Sequence, residues 1–244
     1  PEHLKGGFVQ GAPGFEERLQ TGITASVRHP QIAYPEGDLW HGPWARQPHH
    51  CVSYDSCHDN HALWDKLALT TKGLKDADRR AMNRLAAAIV LTSQGIAFLH
   101  AGEEMARTKK GHENTYNLPD SVNAMDWRRK GKYADLVAYY RGLIALRKAH
   151  PAFRLKTAAD IRRGLAFLAM PAPNMVGYIV QDPAGGHLFA VVFNASAQSR
   201  TVQLPAAGWR VLVDARQAGV KPFRRLPGNS CEIPARSALV LARK

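Results

Sequence analysis

The sequence contains little cysteine, and its cysteines form no recognisable pairing pattern. Cys51, Cys57 and Cys231 are the three cysteines among 244 residues. An odd count in a chain of this size does not indicate a disulfide framework, and no CxxC pair suggests a zinc site. The cysteine usage favours a reducing compartment, so we expect the cytoplasm rather than secretion.

Long apolar runs are also absent. No stretch of about 18 consecutive apolar residues occurs, so we expect no membrane-spanning helix and no membrane partner. The chain starts at Pro1 without a methionine and has no basic-then-apolar leader. We therefore expect an excised or processed piece of a longer protein, in which a missing leader says little about export.

Acidic residues are in the minority. The chain has 33 Lys and Arg against 20 Asp and Glu, a formal net charge of +13, which invites a nucleic-acid hypothesis. No long basic stripe and no Gly–aromatic RNA motif supports that hypothesis. The basic residues are scattered instead in short groups: Arg79 and Arg80, Lys109 and Lys110, Arg128 to Lys130, and Arg224 and Arg225. We therefore attribute the charge to a solvated surface and expect no nucleic-acid partner.

The first 50 residues predict one helix followed by a loop. Phe15, Leu19 and Ile23 recur at near-helical spacing, with acidic residues in the first turn. Prolines and glycines are dense over residues 30–48, including Pro35 and Gly37, which predicts irregular structure.

Residues 51–148 alternate short apolar runs with helical patterns. Residues 51–53 suit a strand, and residues 96–101 suit a second strand, buried on both faces of a parallel sheet. Two helical patterns cover residues 76–94 and 133–148. The predicted buried face of the first consists of Met82, Leu85, Ala86, Ile89, Val90 and Ser93, and that of the second consists of Leu136, Val137, Tyr140, Leu143, Ile144 and Arg147. The order strand, helix, strand, helix predicts two βα units of a parallel α/β fold. Two units cannot bury a parallel sheet alone, because its faces and edges need cover.

After about residue 152 the pattern changes to short β-rich runs separated by turn signals. These runs cover residues 176–180, 188–193, 201–204, 209–213 and 237–241. Short strands at this spacing predict an antiparallel β-sandwich. The expected division is therefore an α/β part over residues 1–151 and an all-β part over residues 152–244.

The most distinctive polar segment is Tyr54-Asp55-Ser56-Cys57-His58-Asp59-Asn60-His61, which directly follows the first predicted strand. In parallel α/β folds, reacting groups lie at the carboxyl ends of strands, so this segment is a candidate site. The alternative is a polar loop with satisfied hydrogen bonds. Cys57 is interpreted as a small buried residue rather than a nucleophile. A second polar loop over residues 107–131 is long enough to predict a function.

Taken in order, these segments resemble the C-terminal portion of a type I pullulanase, a debranching family within the α-amylase superfamily (glycoside hydrolase family 13). Residues 54–61 resemble the conserved segment at the end of barrel strand seven, and residues 91–104 resemble barrel strand eight with its approach. Residues 113–127 resemble the loop after that strand. Residues 191–195 and 234–241 are similar to the C-terminal sandwich of these enzymes. The resemblance implies strands seven and eight of a (β/α)8 barrel followed by an antiparallel β-sandwich.

The resemblance also implies roles for individual residues. Asp59 matches the aspartate that grips substrate hydroxyls and stabilises the oxocarbenium-like transition state, and His58 matches the histidine that hydrogen-bonds the sugar at the cleaved bond. Asn117, Asp120 and Asn123 lie where the family's loop approaches the sugars. For these three, glucan contact and bracing of the loop by side-chain hydrogen bonds remain equally open.

Three further side chains near these loops carry expectations of their own. We expect Trp127 to pack beneath its loop rather than stack on a sugar. Glu103 and Glu104, which follow the second predicted strand, are expected to brace the barrel end.

The sequence departs from the family pattern in its principal catalytic carboxylates. Retaining glycoside hydrolysis uses two carboxyl groups about 5–5.5 Å apart, which in this family come from barrel strands four and five. Nothing before residue 51 matches either motif. The acidic residues of that region lie in a helix or loop instead: Glu2, Glu16, Glu17, Glu36 and Asp38. We therefore expect the isolated chain to be inactive.

The resemblance sets the expected function and partners of the longer enzyme. It would cleave α-1,6 branch linkages in pullulan, starch or glycogen by a retaining mechanism. The expected partners are an α-glucan and the missing N-terminal part of the barrel; the alternative is a non-catalytic carbohydrate-binding or accessory fragment. Family members often bind calcium, but no Asp-x-Asp-x-Asp-Gly loop occurs here, so we assign no cofactor and no metal ligand.

Overall fold

The computed structural model describes residues 5–34, 42–183 and 185–244. Several residues used above lie outside this described part of the chain: Glu2, Pro35, Glu36, Gly37 and Asp38.

The described residues form a helical half and a β-sheet half. The α-helices are α1 (Glu16–Ile23), α2 (Leu63–Thr70), α3 (Asp76–Thr92), α4 (Asp120–Asn123), α5 (Arg129–Lys132), α6 (Ala134–Ala149) and α7 (Ala158–Gly164). Short 3₁₀ turns cover Phe8–Gln10, Pro48–His50, Glu103–Met105 and Pro151–Phe153. The strands are β1 (Val52–Ser53), β2 (Ile96–Ala97), β3 (Leu165–Leu168), β4 (Met175–Gln181), β5 (Leu188–Asn194), β6 (Arg200–Gln203), β7 (Arg210–Val213), β8 (Arg224–Arg225), β9 (Ser230–Ile233) and β10 (Ser237–Arg243).

The two predicted strands of the helical half pair in parallel, as expected. Val52 lies opposite Ile96, and Ser53 lies opposite Ala97. Their predicted burial is wrong, because Val52 is 48% and Ile96 is 50% exposed, and Phe98 is exposed as well. Among the described residues no third strand pairs with this two-stranded sheet, so its apolar side chains have no neighbouring strand to cover them.

Helix α3 forms where the apolar spacing predicted it. Asp76 and Asp78 lie in its first turn, where carboxylates interact favourably with the positive end of the helix. Met82, Leu85 and Val90 are buried on the predicted face. Leu85 packs in the core between α6 and the β-sheet half, whereas Met82 packs against α2. The Tyr178 hydroxyl of β4 donates to the Thr92 carbonyl at the end of α3 (2.9 Å).

Helix α6 also forms as predicted, and most of its predicted face is buried: Leu136, Tyr140, Leu143 and Arg147. Leu143 is buried as expected, whereas Ile144 is exposed and Leu146 is buried in its place. The Tyr139 hydroxyl donates to the Asp214 carbonyl (3.0 Å), so the turn that follows β7 covers one side of the helix. Because these two residues lie far apart in the chain, the local spacing of apolar residues could not predict their contact.

The β-sheet half is antiparallel, as predicted. The strand order β3-β4-β5-β10-β7-β8 makes one six-stranded sheet, and β6 with β9 makes a separate two-stranded sheet. Strands β3, β8 and β9 and helix α7 were not predicted. Alternate side chains of the larger sheet point to opposite faces. Tyr178, Val191 and Val240 pack towards the helices, whereas Val192 and Leu241 pack towards β6 and β9.

One glycine of α6 marks a close approach between the two halves. A Cβ atom on Gly142 would lie 2.0 Å from the Ala218 carbonyl oxygen. We therefore expect Gly142→Ala to lower the free energy of unfolding by about 1–3 kcal/mol, because overpacking outweighs the better helix propensity of alanine. Urea unfolding measures the effect.

The matched control for this prediction is Gly131→Ala in α5. A Cβ atom there meets no atom within 4 Å. This substitution should leave the stability unchanged or raise it slightly. Equal stabilities for the two variants would show that the contact with Ala218 relaxes without cost.

Candidate functional site

The first loop, residues 54–61, leaves the carboxyl end of β1 and exposes the two residues of the His-Asp pair. The side chains of His58 and Asp59 are 86% and 75% exposed, and His58 Nδ1 lies 3.5 Å from Asp59 Oδ1. Asn60 has φ of 62°, a left-handed conformation that asparagine tolerates better than most residues. This turn reverses the chain and leaves His58 and Asp59 at the tip, open to a ligand.

The second loop, residues 107–131, contains the other three candidate residues. Asn117 and Asp120 are exposed, and Asp120 begins helix α4. The Asn123 side-chain amide donates to the carbonyls of Thr115 (2.7 Å) and Leu118 (2.8 Å), and so braces this loop. Two short helices, α4 and α5, occupy positions where sequence reasoning expected only loop.

The first loop lies against the start of the second. The Lys109 ammonium donates to the His58 carbonyl (3.1 Å), and His61 Nε2 lies 3.1 Å from the Gly111 carbonyl. Between the described residues, no hydrogen bond or ion pair joins the His58 or Asp59 side chain to the three polar candidates of the second loop. The structure therefore brings the two loops together through contacts of the Lys109 and His61 side chains with main-chain carbonyls, rather than through the side chains of the predicted site residues.

A buried carboxyl pair lies beneath the first loop. Asp55 follows β1 and Glu103 follows β2, so their carboxyl groups meet at the same end of the two-stranded sheet. Burial raises the pKa of Asp55, and burial together with the nearby Asp55 raises the pKa of Glu103 to about 10. The Ser56 hydroxyl donates to the Glu103 carboxyl group. At neutral pH Glu103 is therefore protonated, and it braces the strand ends as expected.

Sequence reasoning missed Asp55 and Lys109. An acid at the end of each of two neighbouring parallel strands was a usable signal for the Asp55–Glu103 pair, because such ends meet at one edge. No local signal distinguishes Lys109 from Lys110. The former is buried and the latter is exposed.

Two interpretations of single residues were wrong. Cys57 is half-exposed rather than buried, with its Sγ 3.8 Å from the Asp59 carbonyl, because the loop turns outward at this point. Trp127 is 66% exposed rather than packed. Its neighbours Asp126 and Arg128 pair with each other at the surface (2.8 Å), and Trp127 lies at the surface with them.

Two further properties of the described residues concern metal binding and membrane crossing. In the described part of the chain, no cluster of three or more His, Cys, Asp or Glu side chains is arranged to hold a metal ion. Over the same residues, no helix combines the length and apolar character that crossing a membrane requires.

Comparisons with known proteins agree with the sequence resemblance. Residues 161–217 match the family described as "Pullulanase, all-beta domain". The pullulanase of Bacillus subtilis (strain 168) is 40% identical over 181 residues, which cover 74% of this chain and 24% of that protein. The chain thus spans about a quarter of the length of this relative.

Solved structures give the same result over nearly the whole chain. A pullulanase from Bacillus acidopullulyticus superposes with a TM-score of 0.88 at 34% identity, covering 99% of this chain and 28% of that one. A pullulanase from Paenibacillus barengoltzii, complexed with maltohexaose and α-cyclodextrin, has a TM-score of 0.83 at 44% identity and covers 98% of this chain and 36% of that one. The chain is therefore similar to pullulanases over nearly its whole length and fits a C-terminal portion of such a protein.

Proposed function

We propose that this chain is part of a glycoside hydrolase that cleaves α-1,6 branch linkages in pullulan, starch or glycogen, and that it contributes the His58-Asp59 pair to the active site. The observation that carries the proposal is the open position of this pair, on a braced loop at the carboxyl end of a parallel strand pair. The Paenibacillus barengoltzii pullulanase, which was solved with maltohexaose and α-cyclodextrin, supports an α-glucan as the substrate.

In this proposal β1 and β2 are the seventh and eighth strands of a (β/α)8 barrel. Residues 1–151 form the C-terminal part of that barrel, and residues 152–244 form a β-sandwich domain. The exposed apolar side chains of Val52, Ile96 and Phe98 support the assignment, because a strand buried in a closed barrel needs neighbours on both sides. The partner that covers them is the N-terminal part of the barrel.

The proposed chemistry assigns a different task to each member of the pair. The Asp59 carboxylate binds substrate hydroxyls and stabilises the positive charge that develops at the cleaved bond, while His58 hydrogen-bonds the same sugar. Asn117, Asp120 and Asn123 are proposed to border the glucan path. Neither residue of the pair is assigned as nucleophile or proton donor.

The Asp55–Glu103 pair does not qualify as the two carboxyl groups of a retaining mechanism. Both carboxylate oxygens of Asp55 are shielded from solvent, as is Oε2 of Glu103. The raised pKa of Glu103 also keeps it protonated, whereas a nucleophile must be ionised. The nucleophile and the acid/base are therefore proposed to lie on barrel strands four and five. No segment before residue 51 of this chain matches the motifs that carry them.

This proposal predicts that the purified 244-residue chain does not hydrolyse pullulan. The measurement is release of maltotriose, with the intact pullulanase of Bacillus subtilis as the positive control. Without a nucleophile, the chain should release no maltotriose above the protein-free blank. Release at a rate comparable to the control would contradict the assignment of the principal carboxylates to missing strands.

A second candidate function is a non-catalytic carbohydrate-binding fragment. Tyr116 is 85% and Trp127 is 66% exposed on the second loop, and exposed aromatic faces can pack against sugar rings. Native electrophoresis in a glycogen-containing gel separates the two functions. An unretarded chain supports the first, whereas retardation that is lost in Tyr116→Ala and Trp127→Ala supports the second.

A further inference from the structure

Lys109 is a buried lysine near the start of the second loop, where that loop lies against the first. Its side chain is only 2% exposed, which places it among the largest fully buried side chains of the protein. Burying an ammonium group is costly unless hydrogen bonds replace its water. Its partners are the main-chain carbonyls of His58 (3.1 Å) and Glu113 (3.3 Å). Lys109 therefore links the tip of the first loop to the second loop.

A buried carboxylate fixes the position of Lys109. The Lys109 amide donates to Asp65 Oδ2 (2.6 Å), and the Thr108 hydroxyl donates to Asp65 Oδ1. Asp65 lies in the first turn of α2 and is itself buried. The segment that carries the lysine is thus attached to a helix, which makes Lys109 a rigid support for the more exposed loop.

The charges around Lys109 connect it to the proposed site. Burial lowers its pKa, and Arg107 lowers it further, whereas the nearby Asp65 and Asp59 oppose this change. Asp59 is the exposed carboxylate of the pair, so attraction to the ammonium favours its present location. The lysine therefore acts on the loop through a hydrogen bond at His58 and through charge at Asp59.

We infer that Lys109 is a positioning residue, which holds the main chain at His58 and thereby orients His58 and Asp59 towards the substrate side. The inference rests on the proposed function for the role of that pair. The contacts themselves, and the local order they produce, do not depend on it. A lysine with only a general structural role would instead stabilise the two loops and the β-sheet half to the same extent.

The test is Lys109→Met, with the exposed neighbour Lys110→Met as the matched control, followed by hydrogen–deuterium exchange of the full 244-residue chain. Without the ammonium, amides in residues 54–61 and 111–118 should exchange at least about tenfold faster, while β5 and β10 keep their protection. Lys110→Met should leave all of these segments unchanged. Unchanged exchange in residues 54–61, or equal acceleration in β5 and β10, would overturn the inference.

A spectroscopic readout complements the exchange experiment. The imidazole NMR signal of His58, identified by its loss in His58→Gln, should shift in Lys109→Met and remain in place in Lys110→Met. Lys109→Arg, which retains a cationic donor, should restore much of the wild-type signal. A His58 signal unmoved by Lys109→Met would contradict the inference.

A second variant keeps the inference testable if the first one does not fold. If Lys109→Met does not fold, Lys109→Gln replaces it, because its amide can still donate to one carbonyl and should give an intermediate acceleration. Wild-type exchange in residues 54–61 of that variant would overturn the inference. Neither readout requires glycosidase activity. The positioning role of Lys109 could therefore be confirmed even if the proposed function is wrong. It could also be refuted even if the proposed function is right.

Discussion

Replacing Glu103 with glutamine is expected to remove much of the loss of stability that we predict for the wild-type chain as the pH rises. The pKa of Glu103 is raised from an ordinary 4.5 to about 10 in the folded protein. Between these values the folded state holds a proton that the unfolded state releases. The free energy of unfolding should therefore fall by about 1.4 kcal/mol per pH unit and per proton.

The physical cause is the contact of two carboxyl groups in a buried place. The raised pKa of Asp55 acts in the same direction, so the pair is most stable at low pH, while it holds its protons. Glutamine has the shape of the protonated acid at every pH. It can still accept from the Ser56 hydroxyl, and it can donate to Asp55. Glu103→Gln should therefore resemble the wild type near pH 5 and exceed it in stability near pH 9.

Urea unfolding at several pH values between 5 and 9 measures this difference. Glu104→Gln is the matched control, because Glu104 is a half-exposed neighbour whose carboxylate accepts from the Gly102 amide (3.1 Å). The control should follow the wild-type profile. Parallel profiles for the wild type and Glu103→Gln would mean that Glu103 is ionised in the folded protein at neutral pH.

Arg147→Met is expected to produce the largest loss of stability among the substitutions considered. The Arg147 guanidinium is buried and donates to four main-chain carbonyls: those of Leu91 (3.1 Å), Ser93 (2.6 Å), Gly95 (2.7 Å) and Phe153 (2.7 Å). These carbonyls belong to the end of α3, the approach to β2 and the turn after α6. One side chain thus joins three segments of the chain.

The size of the effect follows from the cost of unmade hydrogen bonds. Each bond from a charged donor contributes about 1.5–3 kcal/mol, and a buried carbonyl left without a donor costs a similar amount. If only two of the four bonds matter, the loss is about 3–6 kcal/mol, a large fraction of the 5–15 kcal/mol that stabilises a typical domain. Burial lowers the pKa of Arg147 to about 10, so it stays charged at neutral pH.

Chemical denaturation tests this prediction, with Lys148→Met as the control. Lys148 is the exposed next residue of the same helix, and methionine has a similar helix propensity. We expect Arg147→Met to unfold at much lower urea than the wild type, and Lys148→Met to unfold at the same concentration. Equal midpoints for the two variants would show that water replaces the guanidinium at the four carbonyls.

Features that depend on local periodicity were predictable from the sequence. The spacing of Met82, Leu85 and Val90 located α3 and its buried face, and the β-rich runs located β4, β5 and β10. Family resemblance required the ordered motifs, since the composition alone pointed only to a soluble globular chain. The polar segment at residues 54–61 was identified because it follows an apolar run.

The sequence by itself therefore determined the two long helices, the principal strands and antiparallel character of the second half, and the position of the His58-Asp59 loop, because neighbouring residues encode these features. The tertiary structure alone decided which polar groups are buried. Lys109 meets His58 across 51 residues, and Arg147 meets Gly95 across 52. Burial depends on which distant segments pack together, so identical neighbours such as Lys109 and Lys110 acquire opposite environments. The same reason explains why Ile96 and Phe98, apolar enough for a buried strand, lie exposed: no further strand among the described residues covers them.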